Sequence, residues 1–130
     1  MNSSSLSNEL RRFINTIASI PHLEIMLLLH QTPQAPWRVT AIAQRMYVGE
    51  TQADVMLKDL CEAGICKPVS HATGEYIYSP AFEELGELID QLAEYYPRNL
   101  IQVTNMIHAK SASGQRVQMF ADAFKFNKDK

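Results

Sequence analysis

Two cysteines and four histidines are the side chains of this 130-residue chain best suited to metal or redox chemistry. Cys61 and Cys66 are separated by four residues, the wrong spacing for a compact zinc knuckle, and His22, His30, His71 and His108 keep no paired spacing with them. No metal site is expected. The opening residues MNSSSLSNEL lack the basic start and apolar stretch of a secretory leader, so two reduced thiols are expected rather than a disulfide framework. A redox role for Cys66 lacks the neighbouring cations that would favour its thiolate, which leaves apolar, half-buried thiols as the simpler reading. No glycine-rich phosphate loop, nucleophile elbow or paired acid–base constellation appears, so neither enzymatic activity nor a cofactor is expected.

Charge narrows the choice further. Twelve Lys and Arg stand against fourteen Asp and Glu, a net charge of -2, whereas a dedicated nucleic-acid binder usually carries a basic domain or stripe. The longest apolar run, Ile25 to Leu29, is too short to span a bilayer, so a cytoplasmic chain with no membrane partner is expected. The length suits one domain, mainly α-helical, with a small β-hairpin.

Those residues need elements to position them. Leu6, Leu10, Phe13, Ile14 and Ile17 recur at helical spacing between Leu6 and Ala18, behind a serine-rich start able to cap a helix. Pro21 fits the first position of a second helix, apolar nearly all round through Leu23 and Ile25 to Leu29, which places it centrally. Pro33 and Pro36 end it, and Trp37 to Val39 reads as extended. Thr40 is the expected cap of a short helix, Ala41 to Met46. Gly49 is the expected positive-φ residue of the link YVGE, and Glu50 or Thr51 caps the next helix, Gln52 to Ala63.

Two short helices so joined suggest a helix-turn-helix. Gly64 stops the second helix, and ICKPVS and EYIYS around HATG read as a hairpin, with Pro68 on a sheet edge. Ser79-Pro80 opens a helix with Leu85, Leu88, Ile89, Leu92 and Tyr96 on one stripe and Glu83, Glu84, Glu87, Asp90 and Glu94 away from it. That acidic face is either solvated or a docking surface for a basic partner. Pro97 stops or kinks this helix, another runs to about Ala109, SASG is a loop, and Val117, Phe120 and Phe124 support a last helix. Tyr95, Tyr96, Phe120, Phe124 and Phe126 belong to the core, to a dimer contact or to a small-molecule pocket.

The segment VTAIAQRMYVGETQADVMLKDLCEAGICKPV, with its capped helix, turn, Leu57 and Leu60 pair and E-A-G-I junction into a strand, resembles small bacterial transcriptional regulators of winged helix-turn-helix type, such as the MarR and ArsR families. The likeness covers Val39 to Tyr78, about a third of the chain. It implies a winged-helix core over residues 37–80, with the helical additions 1–36 and 81–130 serving dimerisation. It also implies a DNA-binding transcriptional regulator, with the helix from Thr51 in the major groove and the tip from His71 to Gly74 along the backbone or minor groove. Thr51 and Gln52 would then face bases, Arg38, Arg45, Lys58 and Lys67 phosphates, and His71 the wing contact. The stripe Leu6, Leu10, Phe13, Ile14 and Ile17 would help to build the homodimer that matches two half-sites. Between Trp37 and Pro80 four cations meet five carboxylates. The alternative is therefore a protein–protein interaction module on the same fold that binds no DNA.

Overall fold

Serine side chains start the first two helices. Ser7 accepts from the Leu10 amide at 3.0 Å and opens α1 (Asn8–Thr16); Ser19 accepts from the His22 amide at 3.3 Å and opens α2 (Ile20–Gln31). Pro21 sits in the first turn of α2, where it has no intrahelical bond to lose. The chain bends by 115° between these helices. The computed structural model describes residues 6–69 and 74–111. Within them α2 is central, burying His22, Leu23, Ile25, Met26 and Leu29, and α1 lies on the two C-terminal helices, α5 (Glu83–Arg98) and α6 (Leu100–Ser111). No single helix among the described residues is long and apolar enough to cross a membrane.

Between these terminal layers lie β1 (Trp37–Arg38), α3 (Val39–Met46), α4 (Glu50–Glu62), β2 (Cys66–Pro68) and β3 (Glu75–Tyr78). The chain is thus mainly helical with a small antiparallel sheet of order β1-β3-β2. Trp37 pairs with Tyr76 and Cys66 with Tyr78. β2 forms an edge, so Pro68 withholds its missing amide from no inner neighbour. Ile42 and Ala43 of α3 and Ala53, Met56, Leu57 and Leu60 of α4 join one continuous core with α2 and α5.

Several expected boundaries move, each because a backbone bond takes over from a side chain. Helix α3 starts at Val39 with Arg38 at its cap and no cap from Thr40, because the Val39 amide donates to the Gly74 carbonyl at 2.9 Å and carries the sheet into the helix. Gly49 has φ -73° and is the extended cap of α4, so Glu50 and Thr51 lie inside that helix. The positive φ belongs to Tyr47, at 58°. α5 starts at Glu83 rather than Pro80, since the Ser79 and Ala81 amides are held by the carbonyls of Ile65 and Gly64 at 2.9 and 2.7 Å. Pro97 is tolerated in the last turn of α5; the break falls at Asn99, and α6 follows from Leu100. The expected helix through Val117, Phe120 and Phe124 lies outside the described residues.

The N-terminal stripe is also reassigned. Leu10, Phe13, Ile14 and Ile17 are all at most 6% exposed and Leu6 packs partly on the same core, so the chain's own α5 and α6 cover the face read as a dimer surface. The exposed apolar side chains of the C-terminal layer are instead Phe82, Leu100 and Ile101, the last 75% exposed.

Candidate nucleic-acid interface

The outer face of α4 presents Glu50, Thr51, Gln52, Val55, Lys58 and Glu62 to solvent. The inward positions Ala53, Met56, Leu57 and Leu60 hold the helix down, which is why the polar set turns outward with a helical period. Gly49 supplies no side-chain cap, so the first-turn amides near Thr51 and Gln52 find no side-chain acceptor at the cap residue. This is a helix end suited to an anion.

The cations expected to reach phosphates differ in how they are held. Arg38, at the end of β1, is 74% exposed, and its Nε lies 3.2 Å from Glu75 across the β1–β3 pair. Lys58 Nζ lies 3.0 Å from Asp54, four residues earlier on α4, and that hydrogen bond holds the ammonium pKa above its ordinary value. Lys67 is exposed on the edge strand β2. Arg45 is exposed on α3 and lines a cavity of about 320 Å³ with Glu24, Leu27, Leu28, Met46 and Tyr96. Tyr96, one of the aromatics considered as a pocket lining, thus faces this cavity, and its hydroxyl donates to Glu24 at 3.2 Å. His71 lies outside the described residues.

Of the four carboxylates on α4, two are engaged within the chain. Asp54 pairs with Lys58 and also accepts from the Tyr76 hydroxyl at 3.5 Å. Asp59 is bound to His22, with Nε2 and Oδ2 2.8 Å apart, so it ties α4 to α2. Glu50 and Glu62 remain as the exposed pair at the two ends of the helix. Asp54 and Asp59 are thus held in place by partners within the chain, while Glu50 and Glu62 stand free to meet solvent.

His22 was not singled out by sequence, because its partner is 37 residues away. The local signal was a serine three residues before it. Ser19 Oγ lies 2.6 Å from His22 Nδ1, and the resulting Ser19–His22–Asp59 line has the order of a proton relay. His22 is only 5% exposed and Ser19 already caps α2, so the arrangement works as a helix-to-helix tie. Among the described residues no three His, Cys, Asp or Glu side chains group to hold a metal ion.

Tyr47 is a second residue that sequence did not mark. The Val48 amide donates to the Ala43 carbonyl at 3.1 Å, a helix-ending turn that requires a left-handed residue just before Val48. Tyrosine occupies that position at a cost of about 1–2 kcal/mol relative to glycine, yet its side chain is 94% exposed and gains no packing. Tyr47→Gly is expected to stabilise the protein by about 1 kcal/mol in urea unfolding. If the strain is kept for a phosphate or base contact beside α4, the same variant binds DNA more weakly while being more stable.

The chain matches no protein-family model, no curated protein and no solved structure.

Proposed function

We propose that residues 37–80 form a winged helix and that the protein is a homodimeric DNA-binding transcriptional regulator. The observation that carries this reading is the element order β1–α3–α4–β2–β3, with α3 packed on α4, β2 in contact with α4 and β3 paired to both β1 and β2. Gln52 and Thr51 are the base-facing candidates, and Val55, 52% exposed, offers an apolar contact of the kind that meets a thymine methyl. Arg38, Lys58 and Lys67 supply phosphate contacts, with the exposed Arg11 and Arg12 adding charge at the N-terminus. Dimerisation in this reading uses the C-terminal layer around Leu100 and Ile101. No catalytic step is assigned.

Fluorescence anisotropy with mixed genomic duplexes tests this reading. Binding should be measurable at about 50 mM salt and fall steeply by about 200 mM, since phosphate contacts release counterions. Glu75→Gln frees Arg38 from its carboxylate, and should strengthen binding and add up to about 1 to the salt slope. Absence of binding at low salt would sink the proposal. The alternative, a protein-binding module, is favoured by the five exposed carboxylates of α5, Glu83, Glu84, Glu87, Asp90 and Glu94, and predicts co-purification of a basic partner.

A further inference from the structure

The turn that ends α4 folds the chain back on itself. The Gly64 amide donates to the Cys61 carbonyl and the Ile65 amide to the Leu60 carbonyl, both at 3.0 Å, with Gly64 at φ +84°. A Cβ at Gly64 would meet the Ala81 Cβ at 3.1 Å, so this position is also sterically tight. The fold-back sets Cys66, the first residue of β2, beside Cys61 on the last turn of α4, and the two Sγ atoms are 3.5 Å apart.

Their access is unequal. Cys61 is partly exposed, whereas Cys66 is 4% exposed, with Sγ 3.8 Å from the Leu57 carbonyl. The hydrogen-bond contact between the two sulfurs favours the Cys61 thiolate and lowers its pKa. The same contact, with burial, pushes the Cys66 thiol up. One sulfur is reachable and nucleophilic; the other is sheltered and within reach of the first.

We propose that Cys61 and Cys66 form a reversible disulfide when the protein meets a hydroperoxide, with Cys61 attacking and Cys66 resolving. The Cys61 thiolate attacks the terminal peroxide oxygen, the O–O bond breaks, and the alkoxide leaves as an alcohol after taking a proton; Cys61 becomes a sulfenic acid. The Cys66 sulfur then attacks the Cys61 sulfur, the S–OH bond breaks, and water leaves with the Cys66 proton. Two thiols lose two electrons in all, and one hydroperoxide is reduced to an alcohol and water. The sulfurs must close from 3.5 Å to about 2.05 Å, a movement at the junction of the edge strand β2 with the end of α4. An effect of that movement on DNA affinity rests on the winged-helix reading; formation of the disulfide does not.

The test is stoichiometric hydrogen peroxide followed by denaturing alkylation and mass spectrometry. The wild-type chain should lose both alkylation sites within one molecule and regain them on treatment with dithiothreitol. Cys66→Ala should stop at a Cys61 sulfenic acid that dimedone traps, and Cys61→Ala should leave Cys66 reduced at the same peroxide dose. The proposal is overturned if both wild-type thiols remain alkylatable, if only intermolecular crosslinks form, or if Cys61 passes to the sulfinic acid with Cys66 still free. The wild-type result stands alone should either variant fail to fold.

Discussion

Ile14→Ala is expected to destabilise the folded chain by about 3–4 kcal/mol, and to lower the thermal midpoint by roughly 10–20 °C, without weakening self-association of the molecules that remain folded. Ile14 is fully buried, on a helix that packs on α5 and α6 of the same chain. Its replacement removes three buried carbons and leaves a cavity that the crossing of α1 with two helices can collapse only in part. Such a loss is a large share of the stability of a domain this size. Urea unfolding at two protein concentrations separates the outcomes: a midpoint independent of concentration places the stripe in the monomer core. A concentration-dependent loss, with weaker dimerisation by sedimentation, would return the stripe to an interface between copies.

His22→Ala carries the second large effect, about 2–3 kcal/mol. The substitution removes the partner of Asp59, whose side chain is 30% exposed, and leaves a half-buried carboxylate short of a hydrogen bond. The vacated ring volume adds a packing loss between α2 and α4. Asp59→Asn keeps an oxygen able to accept from the ring and should cost less than half as much. This pair of variants also bears on function. Were Asp59 a groove-facing charge, Asp59→Asn would raise DNA affinity at unchanged stability; as a tie to α2, it shifts stability first.

The two residues mark what could be read from the chain alone. The apolar spacing of Leu10, Phe13 and Ile14, the burial of α2 and the glycine stop at Gly64 follow from local chemistry, and they place the main helices and the hairpin. What covers an apolar stripe does not follow from the stripe, so its spacing alone suits a dimer face as well as a core face. Glycine's tolerance of positive φ points to Gly49, while the hydrogen bond from Val48 to Ala43 places it at Tyr47. The candidate binding face was legible as a set of residue types. The placement of its carboxylates does not follow from the chain alone, because the ties of Asp54 to Tyr76 and of Asp59 to His22 join residues far apart in sequence.

Contact between α1 and α6 gives the fold one further property. The first and last described helices close on each other, so Val103 and Ile107 stay dry because the N-terminal segment lies on the same apolar seam. Trimming either end thus uncovers the other. A shortened chain would display a sticky apolar strip in place of a clean boundary, and the central β1–α3–α4–β2–β3 unit would lose the clasp that holds its two flanks together.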